Sequence, residues 1–396
     1  MLPDTPVRAS QELQLLTTLG PALMAIHGYA SPEAGHTYAR ARALCQQVEA
    51  TPQLAQVFHG LWVFYHARAE HQTARELAEQ FLALAQRVQD SMLLLVASTG
   101  LAQTLFCLGE LAQARALFEQ GLGYYDSQQH SALAVLYGTD LAVTGRAWLA
   151  WTLWLLGYPD QAEQHSRAAL TLAQELGYAL TLGSALGWAG GLAALRQDRQ
   201  ATQAQAEATI AFATAQGLPF RVAQGTMLRG WALAASGAVE AGIAQLRQGL
   251  EGWRATGAAI NWTWWLGLLT DSYARGGHAG EGLAVVAEAL AFVAKTGEHL
   301  YEAELYRLKG ELLLRQTSPD AIQAEACFQQ ALEVARHQQA KSWELRAALS
   351  LSRLWQHQGK RTDAYDLLGP IYGWFTEGFD TADQQDAKVL LEELGG

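Results

Sequence analysis

The sequence predicts an all-α solenoid: a right-handed superhelix of about nine helical hairpins over residues 1–396, one domain closed by a C-terminal capping helix. Three observations predict it. A small residue returns about every 40 positions, at Ala34, Ala74, Ala114, Ala162, Ala201, Gly242, Gly282, Ala324 and Ala364, with spacings of 40, 40, 48, 39, 41, 40, 42 and 40. A second residue follows seven positions later and is usually small: Ala41, Gly121, Ala169, Ala208, Gly249, Ala289 and Ala331, with Phe81 and Ile371 as exceptions. Five positions before the repeated residue glycine is frequent, at Gly109, Gly157, Gly237, Gly277 and Gly359. A period of this length marks a stack of supersecondary units, each of which needs to touch only its neighbours.

Composition agrees. Half of the residues are hydrophobic, and only 9 prolines interrupt an Ala-, Leu-, Gln- and Glu-rich chain, which favours helix. The net charge of −11 leaves no basic face for nucleic acid. Cys45, Cys107 and Cys327 lie far apart in helical patterns, so buried thiols in a reducing cytoplasm are expected rather than disulfides. The N-terminus MLPDTPVRAS lacks the basic-then-apolar layout of a signal peptide. No uncharged apolar run reaches the roughly 18 residues of a membrane span. The nearest, LAVTGRAWLAWTLWLLGY, carries Arg146.

Each unit parses as helix A, a turn, then helix B. Ser31-Pro32-Glu33 and Thr51-Pro52-Gln53 are start signals, a hydroxyl N-cap followed by Pro in the first turn. In the fourth unit helix A is expected over about Asp140 to Leu156, ending at Gly157. Helix B then begins at Pro159, whose missing N–H costs nothing there, and ends at Gly177. Ala162 and Ala169 share one face and are small because helix A crosses there. The one long spacing places extra residues in YYDSQQHSALAVLYGTD, read as a bend at 126–139 or a binding loop. Pro370 interrupts the last helix B, and 381–394 reads as the capping helix.

G-x-x-x-x-A with a small residue seven on resembles tetratricopeptide repeats, at a period longer than their usual 34. The strings QQHSALAVLYGTD, LWLLGYPDQAEQHSRAALTLAQELG, AQGTMLRGWALA, YEAELYRLKGELLL and LLGPIYGWFTEGFDTAD resemble the helical C-terminal region of bacterial multidomain proteins. Those proteins carry nucleotide-cyclase and AAA/STAND-type ATPase domains ahead of it. The resemblance covers essentially the whole chain and implies a regulatory, partner-binding signal-transduction module. Neither catalytic activity is carried over, because there is no G-x-x-x-x-G-K-[ST] and no cyclase aspartate pair in strand context. Whether the module is freestanding or part of a longer protein stays open.

In tetratricopeptide superhelices the A helices line the concave face. Positions 18, 15, 11, 8 and 7 before the repeated small residue share one inward-facing stripe of helix A. This register projects Gln56, His59, Val63 and His66 from the second unit and Gln103, Phe106 and Cys107 from the third. The fourth gives Trp151 and Trp154, the fifth Gly183 and Gly190, and the sixth Gln224, Met227 and Trp231. The seventh gives Trp264, Asp271 and Arg275; the eighth, whose turn is longer, is set by aligning Gly310 and gives Glu304, Arg307, Glu311 and Arg315; the ninth gives Arg346 and Arg353.

Glycine inside a helix costs about 1 kcal/mol relative to alanine, so Gly183, Gly187, Gly190 and Gly191 need a reason. They form the floor of an aromatic-walled pocket, or they admit Trp188 and its neighbours. Trp148, Trp188, Trp262 and Trp265 lie off the stripe and are read as core. The alternating charges from Glu304 to Arg315 are an intrahelical ladder, or with Arg346 an acceptor for a peptide carboxylate. His59 and His66 lie seven apart with His71 nearby, but the cysteines are not expected to join them, so no metal site and no cofactor are expected. Gly276 to Gly282 reads as a turn rather than a phosphate loop.

The function read from these features is a non-catalytic scaffold holding a protein or peptide in its concave groove. The alternative is a sensor for a small apolar or aromatic ligand, and a lesser one is a subunit of an enzyme system. No catalytic constellation is found, and neither nucleic acid nor membrane is an expected partner.

Overall fold

A computed structural model describes residues 6–48, 51–126 and 134–396, and among them there is helix but no strand. The expected hairpins form in order. They are α1 (Pro6–His27) with α2 (Pro32–Val48), α3 (Thr51–Ala67) with α4 (His71–Val88), and α5 (Ser91–Cys107) with α6 (Leu111–Gly123). After the short α7 (Ala134–Tyr137) come α8 (Leu141–Leu155) with α9 (Pro159–Leu176), and α10 (Ala179–Leu195) with α11 (Arg199–Ala215). Next are α12 (Pro219–Ala235) with α13 (Val239–Ala255), and α14 (Trp262–Gly276) with α15 (Ala279–Thr296). The last pairs are α16 (Glu302–Leu314) with α17 (Ala321–His337) and α18 (Lys341–His357) with α19 (Arg361–Tyr372). Helix α20 (Ala382–Gly395) then packs on α18 and α19.

Local chemistry sets the boundaries. Ser31 Oγ accepts the Ala34 N–H at 3.3 Å at the start of α2. Pro159 stands in the first turn of α9, and Gly177 ends that helix in the left-handed region at φ 69°, where glycine carries no Cβ penalty. Asp140 caps α8 by accepting from Ala142 N and Val143 N at 2.9 and 3.0 Å. Of the expected bend at 126–139, residues 127–133 lie outside the described residues.

The repeated small residues sit where helices of one hairpin cross. Ala34, Ala74, Ala114, Ala162, Ala324 and Ala364 have no exposed surface. A Cβ built on Gly242 would lie 2.5 Å from the Gly230 carbonyl oxygen, so the backbones of α12 and α13 meet directly.

The fifth unit corrects the expected register. Ala201 is only half-buried and Ala208 is exposed, whereas Thr202 and Thr209 are fully buried. The anchor there is Thr202, each threonine hydroxyl bonding back to the carbonyl four residues earlier, Asp198 at the helix cap and Gln205 within the helix. The spacings through this region become 40, 40 and 40 from Ala162 to Gly282.

A second correction concerns the long-range shape. Units do not touch only their neighbours, because the superhelix is tight enough for successive turns to pack on one another. The carbonyl groups ending α3, α5, α8 and α10 have no partner in their own helix. Here they accept bonds from the next turn. Ala67 O accepts from Ala259 N and Ile260 N at 2.8 and 3.1 Å, and Cys107 O from Leu300 N at 3.2 Å. Trp154 O accepts from Ser342 Oγ, and Leu195 O from Arg346 Nη2 at 2.6 Å. Glu377 reaches back to the start of α9, its Oε1 accepting the N–H groups of Asp160 and Gln161 at 3.0 and 3.2 Å.

Candidate functional site

This closure splits the concave stripe into a central cavity, a filled middle and a charged cleft. The middle is an aromatic column. Trp148 lies 4.6 Å from Trp188 between ring centroids, Trp188 lies 5.0 Å from Trp151, Trp151 lies 4.6 Å from Trp264, and Trp264 lies 4.1 Å from Trp265. Phe106 packs edge-on against Trp148 and Trp151. Trp151 and Trp264 are each 1 % exposed. Such rings contribute by area and by edge-to-face geometry. Met227, with no exposed surface, packs where α12 meets Gly249 of α13.

The glycines of α10 follow the corrected register. Gly187 and Gly191 face the concave side, where Cβ atoms would meet Gln224 Oε1 at 2.3 Å and Trp151 Cζ2 at 2.0 Å. Gly183 and Gly190 do not form a floor between the tryptophans, as their expected register had it. They face Leu218 and Phe212, and Leu228 and Gln205, in the packing against α11 and α12.

The charged cleft, about 310 Å³, is lined by Asp271, Arg275, Arg307, Glu311, Arg315 and Arg346 among others. Its cations are already paired. Arg307 binds both oxygens of Glu304 at 2.7 and 2.8 Å. Arg346 bonds Asp383 at 2.9 Å and lies over Trp154 and Trp343 at 5.1 and 5.0 Å. Asp271 accepts from Arg275 Nε and from Trp231 Nε1 at 2.8 and 2.9 Å. The ladder expected from Glu304 to Arg315 exists and also reaches α18 and α20.

The central cavity, about 130 Å³, lies on the concave stripe of the second to fifth units and is closed by α12, α13 and the approach to α14. Gln103, Thr99, Thr144 and Ser184 supply neutral polar atoms, and Trp62, Trp148, Trp188, Phe220 and Trp253 supply walls. Mostly buried Tyr29, His59, Tyr137 and Phe220, each with some surface exposed, form its mouth. Desolvation pushes the His59 imidazole down to about 4, so it is neutral at neutral pH.

Arg221 dominates the cavity. It is 9 % exposed. Its Nη1 donates to Gln224 Oε1 and its Nη2 to Ser184 Oγ, both at 2.7 Å, and its guanidinium lies 5.1 Å from the Phe220 ring centroid. Among the described residues no carboxylate lies within 4.0 Å of it. It also sits in the first turn of α12, the positive end of the helix dipole. Burial lowers its pKa to about 10, so it keeps its charge at neutral pH. Two further cavity-lining residues carry buried donors without a partner, Trp253 Nε1 and Asn261 Nδ2.

Beside the cavity the expectation for the histidines and cysteines is corrected. One ligand atom from each of His66, His71 and Cys107 lies within 4.8 Å of the others, all buried. Sequence separated these residues, but the A–B turn of the second unit and the end of α5 bring them together.

The sequence register put His59, Val63, His66 and Gln103, which line this cavity, on the concave stripe, and missed Arg221, Ser184 and Trp253. The one-residue slip hid Ser184. The signal for Arg221 was present in Pro219-Phe220-Arg221, a lone cation in a first helical turn.

No family model matches the chain, and no curated protein matches it. Among solved structures it is similar to a Rap protein complexed with competence and sporulation factor, at 10 % identity and TM-score 0.61, covering 97 % of this chain and 99 % of that one. It is also similar to the apo form of RapI, at 11 % identity and TM-score 0.46, covering 74 % and 96 %. A third likeness is to a signal transduction ATPase with numerous domains and a tetratricopeptide repeat sensor from Pyrococcus horikoshii, at 13 % identity and TM-score 0.41, covering 91 % and 55 %. The class is that of tetratricopeptide-like helical-repeat solenoids.

Proposed function

We propose that this chain is a non-catalytic binding module whose ligand carries a carboxylate on a small apolar body, held in the central cavity against Arg221. The observation that carries the reading is the buried, acid-free guanidinium facing a donor-rich, aromatic-walled space. A buried cation is costly without a counter-charge, and the Trp253 and Asn261 donors ask for the same complement. An anion beside Arg221 would supply that counter-charge, and the first turn of α12 adds its dipole.

Size narrows the ligand. A cavity of about 130 Å³ compares with the engineered cavity of about 150 Å³ that holds benzene. The ligand is therefore a small organic acid, or the carboxylate end of a peptide partner whose remaining residues leave past Tyr29 and Tyr137. The second form keeps the partner-in-the-groove reading, confined to one end of the groove. The charged cleft favours no separate reading, since its arginines are occupied by Glu304, Glu311, Asp271 and Asp383. The three free, buried thiols accord with a cytoplasmic regulatory setting.

Calorimetric titration tests the proposal. Benzoate and short branched carboxylates should bind, and their amides should not. Apolar peptides with a free C-terminus should bind if a peptide is the natural source, and amidated copies should not. Arg221→Gln should weaken acid binding tenfold or more. Equal binding of acids and amides, or unchanged affinity in Arg221→Gln, would sink the reading.

A further inference from the structure

We propose that His66, His71 and Cys107 form a binding site for a borderline transition-metal dication of the zinc class. Each comes from a different place in the fold. His66 lies in the last turn of α3, His71 opens α4, and Cys107 ends α5. One donor atom from each falls within a 4.8 Å cluster, close enough for a modest contraction onto one ion with Zn–N near 2.0–2.1 Å and Zn–S near 2.3 Å.

The surroundings supply what bare proximity does not. His71 has no exposed surface and His66 is 5 % exposed. Both ring nitrogens of His66 and Nδ1 of His71 have no hydrogen-bond partner. Three orphaned imidazole nitrogens in one buried spot are costly to leave unused. The other nitrogen of His71, Nε2, faces Glu298 Oε2 at 3.3 Å. That contact leaves Nδ1 without a partner; with Nδ1 as the ligand atom, Glu298 would be the carboxylate that orients the metal-bound imidazole. Glu298 cannot swing in as a ligand cheaply. It also accepts from Asn261 N at 2.8 Å, Thr263 N at 2.9 Å and Thr263 Oγ1 at 2.7 Å.

Charge closes as well. A dication, a Cys107 thiolate and the Glu298 carboxylate sum to zero with both imidazoles neutral. The thiol proton leaves to solvent as the metal enters. A nitrogen–sulfur donor set suits zinc or cobalt rather than magnesium or calcium. Three protein ligands leave one coordination position, and His66 also lines the central cavity, which gives an entry path. The site shares the cavity wall at His66 and Asn261 with the Arg221 reading, but its ligand set does not include Arg221 and its cobalt signal does not depend on that reading.

The test is a titration of chelator-treated full-length protein with Co²⁺ alone. A single equivalent should bind with a near-ultraviolet sulfur-to-cobalt charge-transfer band, and Zn²⁺ should displace it. Cys107→Ser should abolish the band while Cys327→Ser keeps it, and Glu298→Gln should weaken affinity by about 10–100-fold. X-ray absorption of the zinc-loaded, unmutated protein needs no variant to fold, and should show one sulfur and two imidazoles. A zinc shell without sulfur, no charge-transfer band, or a band that survives in Cys107→Ser would overturn the proposal.

Discussion

Gly191 and Trp151 are the two halves of one contact: the indole occupies the place where a side chain at 191 would begin, 2.0 Å from a built Cβ. The indole N–H is at the same time bonded to the Trp188 carbonyl at 3.0 Å. Gly191→Ala should therefore displace Trp151 and cost about 1–3 kcal/mol. Gly190→Ala meets the end of the Leu228 side chain at 3.1 Å and Gln205 Cβ at 3.2 Å, and gains about 1 kcal/mol of helix propensity. It should be nearly neutral. Urea unfolding of the two variants side by side checks this, and equal effects would mean that α10 is rotated from its described register.

Arg221→Met should leave the ligand-free protein as stable as before, or more stable. Replacing a buried charge by an apolar side chain of similar length is often neutral or stabilising, although two hydrogen bonds to neutral partners go with it. A loss of several kcal/mol in the absence of ligand would show that Arg221 serves the fold and not a ligand.

Acid should destabilise the protein before its carboxylates titrate. Burial places His59 at about 4 in the folded chain against 6.5 when exposed. Burial and the neighbouring His71 move His66 in the same direction. Between the folded and unfolded values the unfolded chain holds more protons, so stability falls as pH drops below 6.5 and continues to fall towards 4. His299, raised mainly by its bond to Glu302, opposes this in part. Urea midpoints between pH 7.5 and 5 should show the slope, and His59→Gln should flatten it.

Glu377→Ala should cost about 0.5–2 kcal/mol, the range for loss of an N-terminal helix cap. The cap it removes belongs to α9, more than 200 residues earlier. Thermal unfolding checks the loss, and Glu377→Asp, too short to span the gap, should behave the same way.

The repeat, the hairpins and most helix ends were legible because small residues at crossings and glycine at turns are local signals. Ala162, Gly157, Pro159 and Gly177 each read correctly from their neighbours alone. The fifth unit misread because threonine can serve as a small residue when its hydroxyl bonds back to the carbonyl four residues earlier, as Thr202 and Thr209 do. A slip of one residue then turned Gly183 and Gly190 away from the face assigned to them. The central cavity was not legible, because Trp253, Ile260 and Asn261 reach it from a later superhelical turn. The meeting of Cys107 with His66 and His71 was hidden for a related reason, since neighbouring units aligned at their turns share no sequence proximity.

The inter-turn bonds to the Ala67, Cys107, Trp154 and Leu195 carbonyls change what kind of object this chain is when it is cut or pulled. An open stack can lose end units one at a time, each loss felt only by the next. Here the bonds tie chain positions about 150 to 195 residues apart. Trimming the last two units would remove the donors from the Trp154 and Leu195 carbonyls in the middle of the molecule. The protein should therefore rupture under load in one or two large events rather than in a ladder of equal steps. It should also fold late, since loops of that length must close before the turns can lock.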